Sequence, residues 1–290
     1  MKLVDFIENE KVCLGIKTEL GILNVAEAAA SIGETLPSTI EEVIAGGKKI
    51  LAKLSELSER IKLKQYIILE ENVVYAPCIR NPEKILCVGL NYYSHGEECK
   101  VDIPKYPALF SKFNNTLAAH KQVIKLSSNA LKYDYEAELV IVMGKETVNV
   151  PKEVALSYVF GYMAGNDLSA RDLQFITGQW LLGKTCDGFA PTGPCLVTAD
   201  EVNPDNLDIS CEVNGEVRQS ANTSELIFDC ATIISYISQY MTLKPGDIIF
   251  TGTPGGVILG QPKEEQQWLK AGDEIKISIE KLGTLVNILI

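Results

Sequence analysis

Apolar and polar positions alternate over the first two dozen residues. Residues 2–7, 11–16 and 21–25 read as short strands, separated by polar turns at Glu8-Asn9-Glu10 and Thr18-Glu19, as in a meander. The period then lengthens. Ile40, Val43, Ile44, Leu51, Leu54 and Leu57 recur at helical spacing, and Ser38 stands three before Glu41, as in a capping box, so a helix is expected from about Thr39. Gly46-Gly47 should break it. Beyond residue 76 the chain turns to short β-branched runs punctuated by Pro and Gly, with strands expected at 84–90, 139–143, 194–198, 208–213, 247–250 and 274–279. One further helix is expected over 224–241, where Ile227, Ala231, Ile234, Ile237 and Met241 repeat at three and four. The pattern divides the chain into a small N-terminal α/β module, residues 1–76, and a β-rich domain, residues 77–290, an α+β protein overall.

Composition narrows the class of partner. A net charge of −11 argues against a nucleic-acid or anionic-membrane surface. An anionic small molecule is still open to it, provided that a metal ion or individual Arg and Lys side chains receive it. No run is long enough to span a bilayer, and Met1-Lys2-Leu3-Val4-Asp5 does not begin an apolar leader, so a cytoplasmic protein is expected. The eight cysteines are scattered without zinc-like spacing and are expected to be reduced, mostly buried side chains.

The chemistry concentrates in a few short stretches. Glu136 and Glu138 stand two apart where a strand begins, so both leave one face of it. Like charges so placed repel, and a divalent cation between them removes the repulsion. Asp167, after the apolar run at 159–164, is either a helix cap or a third carboxylate for the same ion. Three carboxylates without His or Cys suit Mg²⁺ or Mn²⁺ and leave positions for the carboxylate and keto oxygens of a 2-oxo acid. His95 follows an expected buried strand, and Glu98 lies one helical turn on, where it can orient the imidazole as a general base. His120 has no such partner and is assigned no role. Arg171 and Asp172 are also placed to form an exposed ion pair.

These stretches together resemble the fumarylacetoacetate hydrolase family. The match runs through Gly89-Leu90-Asn91-Tyr92, His95 and Glu98, Phe110-Ser111-Lys112, Asp134-Tyr135-Glu136-Ala137-Glu138-Leu139, Gly165-Asn166-Asp167, Arg171-Asp172-Leu173-Gln174, Gly183-Lys184, Pro191-Thr192-Gly193-Pro194 and Thr251-Gly252-Thr253-Pro254. The resemblance implies a mixed β-roll for the large domain, usually in a homodimer. It also implies Mg²⁺ or Mn²⁺ on Glu136, Glu138 and Asp167, with His95 and Glu98 as a water-activating dyad on a segment that orders when ligand binds. Arg171, Gln174, Lys184 and Thr253 fall where similar proteins contact substrate, with Lys184 placed to stabilise an enolate. Val257 is followed by Ile258 and Leu259 where relatives commonly carry a glycine, so the pocket wall should differ there. Ala118-Ala119-His120-Lys121 stands where the family often has a Gly/Pro-rich turn.

The reaction favoured by this reading is hydrolytic C–C cleavage of a 2,4-dioxo acid of the acylpyruvate type. Oxaloacetate-type decarboxylation and isomerisation of a 2-hydroxy-diene-dioate need the same metal-held enolate and are the alternatives. A non-catalytic 2-oxo acid or metal binder is a further one, but it has no use for a water-activating base.

Overall fold

The computed structural model describes residues 1–60 and 63–290. Its spine is a long mixed sheet. Strand Ala137–Met143 lies inside it, paired on one side with Val159–Asn166 and on the other with Ile248–Phe250. Ile248–Phe250 runs parallel to Ile85–Gly89, which pairs in turn with Ala108–Lys112. In the other direction Val159–Asn166 pairs with Ala190–Thr198, and the first strand, Lys2–Glu8, adds antiparallel to that strand through Lys2↔Val197 and Leu3↔Leu196. Lys11–Thr18 and Gly21–Asn24 continue the sheet outward, so it crosses the expected boundary at residue 76. A second sheet is built from Glu216–Asn222, Asp208–Val213, Glu274–Ile279, Gly283–Leu289 and Val123–Ile124.

The alternation along Ala137–Met143 accounts for the layering. Ala137, Leu139, Ile141 and Met143 face a core shared with Ile209, Cys211, Ile275 and Ile277 of the second sheet. Val140 and Val142 face the opposite core, filled by Ile40, Val43, Leu54 and Leu57 of helix Ile40–Arg60. A strand buried on both faces reads as a continuous apolar run, and this one does from Leu139 to Met143.

The expected strands lie where the pattern puts them, within about two residues at most ends; 194–198 begins earlier, as Ala190–Thr198. Two details differ. At the first helix it is Glu42, not Glu41, that reaches back to the Ser38 backbone (2.7 Å), while Thr39 Oγ1 accepts from the Glu42 N–H (3.3 Å). The break at the paired glycines is present, with Gly47 at φ 57°, ψ −148°. The second helix is shorter than expected, Cys230–Ser238, because Asp229 accepts from the Thr232 N–H and starts it there. All eight thiols are free, and five are buried.

Asp5 fastens the N-terminal helix to the sheet. Its carboxyl is fully buried on Lys2–Glu8, and Oδ1 accepts from the Ile40 N–H (3.0 Å). Arg80 Nε stays 3.8 Å from Oδ2 without a hydrogen bond. Burial, then the nearby Glu41 charge, pushes the Asp5 pKa up to about 8. A carboxyl with a raised folded-state pKa stabilises fully below its unfolded value and loses that contribution as pH rises through the folded one. The urea midpoint should therefore fall between about pH 4 and about pH 8, and Asp5→Asn should flatten that fall. An unchanged pH profile in the variant would exclude Asp5 as its source.

Candidate active site

The carboxylates gather where two strands end together. Ala137↔Asn166 is the last register pair of the central strands, and the Asp167 N–H donates to the Glu136 carbonyl (2.9 Å). The chain thus turns off the sheet on both sides at one point. Glu136, Glu138 and Asp167 are buried, with carboxylate oxygens within 4.8 Å of one another. Gly252 donates its N–H to Glu138 Oε2 (2.6 Å). That approach needs glycine: φ is +102°, and a Cβ would lie 2.7 Å from Asn91 Cβ.

Three buried cations answer these charges. Lys184 Nζ lies 2.7 Å from both Glu136 Oε2 and Asp167 Oδ2. Lys112, at the end of Ala108–Lys112, pairs with Asp167 Oδ1 and donates to the Leu168 carbonyl (3.1 Å). Arg171 spreads its guanidinium over Asp134 (Nε, 2.9 Å), Gln174 (Nη1, 2.9 Å) and Glu136 (Nη2, 2.7 Å). Arg171 therefore pairs inward, not with Asp172, whose carboxylate accepts from the Leu131 and Lys132 N–H groups.

The two glutamates end in opposite states. Burial opposes charge on Glu136, but Lys184 and Arg171 outweigh it and hold that carboxyl well below the usual range. Burial, then Asp167 and Glu136, pushes Glu138 far above it. An all-oxygen donor set with one carboxyl kept protonated by its neighbours fits a hard divalent cation, whose charge would let the third oxygen ligand ionise.

His95 and Glu98 share the short helix Tyr93–Cys99, with Nδ1 2.7 Å from Glu98 Oε1. Glu98 Oε2 accepts from the Gly256 N–H (2.7 Å), which fixes the carboxylate from behind. Burial lowers the His95 pKa, yet contacts with Cys99 and Glu98 and the Glu136 charge outweigh it, raising the value to about 10.

A cavity of about 1060 Å³ is lined by His95, Glu98, Glu136, Glu138, Arg171, Gln174, Lys184 and Thr253, with Phe110, Trp180 and Trp268 among its apolar walls. Asp167 joins it through the carboxylate cluster. Leu259 forms part of the wall, at the departure from the family pattern noted above. His120 lies elsewhere: its Nδ1 accepts from the Val286 N–H (3.0 Å) and its ring packs edge-on to Tyr75.

Sequence reasoning missed three supports. Asp134 ties Arg171 to the N–H groups of Ile258 (2.9 Å) and Leu259 (3.0 Å). Gln219 accepts from Ala137 N–H and donates to Thr253 Oγ1 (2.8 Å). Lys112 was inside a matched block but carried no role. The signal available for Asp134 was its place two before Glu136; nothing local marks Gln219.

A mixed β-roll with a carboxylate cluster, a His–Glu pair and buried lysines around one cavity is the arrangement of an enzyme for small acids. Residues 84–290 match the family model described as fumarylacetoacetate (FAA) hydrolase C-terminal, and the chain belongs to that family of enzymes. It is 40% identical to the mitochondrial oxaloacetate tautomerase of Rattus norvegicus, over 87% of this chain and 80% of the relative. The fumarylacetoacetate hydrolase of Exiguobacterium antarcticum superposes with a TM-score of 0.85 at 32% identity, covering 100% of this chain and 99% of the other. A fumarylpyruvate hydrolase from Pseudomonas aeruginosa, solved with Mn²⁺ and pyruvate, is 34% identical with a TM-score of 0.66, covering 72% of this chain and 90% of its own.

Replacing Glu138 by Gln keeps the uncharged state that its neighbours favour while taking away the anionic oxygen that a cation would hold. Glu138→Gln should keep or raise the thermal midpoint of the metal-free protein and lose the heat of Mn²⁺ binding in calorimetry. A wild-type Mn²⁺ isotherm would remove Glu138 from the donor set.

Proposed function

We propose that this enzyme moves a proton on a 2-oxo dicarboxylate of the oxaloacetate type, interconverting keto and enol forms with Mg²⁺ or Mn²⁺ held by Glu136, Glu138 and Asp167. The observation that carries the reading is one cavity holding that carboxylate cluster together with a histidine whose Nδ1 is already engaged by Glu98. Similarity to the rat tautomerase supports proton transfer ahead of the hydrolytic cleavage favoured from sequence. The ion, when bound, supplies a Lewis acid that stabilises negative charge on the 2-oxo oxygen.

Counting hydrogens assigns the rest. Two of the three Lys184 ammonium protons are used on Glu136 and Asp167, and the third is left for a substrate oxygen. Arg171 uses three of its five N–H groups on Asp134, Gln174 and Glu136, leaving two for a carboxylate. Thr253 Oγ1 accepts from Gln219, so its own proton is free to donate to substrate. His95 Nε2 takes the proton from C3 and returns it, with Glu98 holding the ring in one orientation. A dication held by Glu136 would offset that residue's part of the pull on the His95 proton and so favour the base form.

The second reading is hydrolysis of a 2,4-dioxo acid, with His95 taking its proton from water. The His95–Glu98 pair and the similarity to fumarylpyruvate hydrolase favour it. A homodimer belongs to the same proposal, and light scattering on the eluting protein reads it.

Decay of the oxaloacetate enol absorbance, with Mg²⁺ or Mn²⁺ and an EDTA control, tests the first reading. Enol loss should accelerate without pyruvate or carbon dioxide appearing. Pyruvate from an acylpyruvate with no effect on the enol would give the second reading instead. In either case His95→Ala should lower kcat by about 10²–10⁴-fold while Mn²⁺-dependent oxalate binding persists. Retained turnover would place the base elsewhere.

A further inference from the structure

We propose a second metal site, for a soft or borderline cation such as Zn²⁺ or Cd²⁺, on His95, Glu98 and Cys99. The three stand on one face of the helix Tyr93–Cys99 at i, i+3 and i+4, and their donor atoms lie within 4.8 Å of one another. Cys99 is half-buried and lines the cavity beside the other two, so an ion has a way in.

The donors differ in kind from the nearby triad. Nitrogen, oxygen and sulfur select Zn²⁺ or Cd²⁺, whereas three carboxylates select Mg²⁺ or Mn²⁺. The spacing fits as well. Around a tetrahedral zinc with usual bond lengths, N and S stand roughly 3.6 Å apart and N and O about 3.4 Å. Nδ1 is 3.8 Å from Cys99 Sγ and 2.7 Å from Glu98 Oε1, so only the carboxylate has to draw back. Glu98 is held by Gly256 N–H through Oε2, which leaves Oε1 as the ligand. Gly260 lets the carboxylate sit this close to the loop, since a Cβ there would lie 2.5 Å from Glu98 Cδ.

Capture of Nδ1 shifts the single proton of the neutral imidazole to Nε2, and the thiol proton is released to solvent. With its one proton on Nε2 the ring no longer accepts one there. Soft cations are therefore inhibitors that capture the dyad, leaving the oxygen triad to its own ion. The site stands whichever reaction the cavity carries out.

Cadmium tests this through its ultraviolet thiolate charge-transfer band, read on the full-length protein in excess Mn²⁺. One equivalent of Cd²⁺ should raise the band and suppress turnover together. Cys99→Ala should lose the band and, against its own cadmium-free turnover, need at least about tenfold more Cd²⁺ for half inhibition. A Cys13→Ala, Cys186→Ala double variant, lacking the other two half-buried thiols, should keep the wild-type response. A band that survives in Cys99→Ala, or a Cys99-dependent band with unaltered turnover, overturns the proposal.

Discussion

Charge buried without water is the constraint on which the rest of this structure depends. Asp134, Glu136, Glu138 and Asp167 stand together in the interior, and each ion taken from solvent costs several kcal/mol unless it is paired. Lys112, Lys184 and Arg171 supply the compensation, and the upward shift of Glu138 lessens what is left to balance. The arrangement is poised. A cation reaching the cluster would favour ionised Glu138 and compete with the lysines for Asp167 and Glu136, so the groups that balance the buried charge are also those that would answer a ligand.

The cluster is held by elements distant in sequence. Asp134 joins Arg171 to the loop at Ile258 and Leu259, Gln219 joins the start of the central strand to Thr253, and Gly256 joins that loop to Glu98. A disturbance in the 252–260 segment therefore reaches both the Arg171 side of the cavity and the His95–Glu98 pair. Coupling of this kind is carried by buried hydrogen bonds, where leaving one group unpaired is costly.

Much of this was legible in the sequence. Strand positions followed from β-branched runs, and the approach of Glu136 to Glu138 from the period of two. The placing of Glu98 beside His95 followed from one helical turn. Other features were hidden because their causes are not local. The helix expected over 224–241 begins at Cys230 because the Asp229 side chain fixes its start, and apolar spacing does not register a cap. Arg171 looked free to pair with Asp172, yet its ion-pair partners are Asp134 and Glu136, brought in by strand pairing. Gln219 has no signature, since its importance lies in what the other sheet presents to it.

The first strand carries a consequence of its own. Because Lys2–Glu8 pairs directly with Ala190–Thr198, the opening residues shield a long, apolar strand that would otherwise end the sheet. Cutting them away would expose backbone groups at Leu196–Thr198, where that pairing lies, as a template for association with other chains. The leading segment thus covers one end of an otherwise open sheet edge, so trimming it changes what that edge offers to a neighbouring chain.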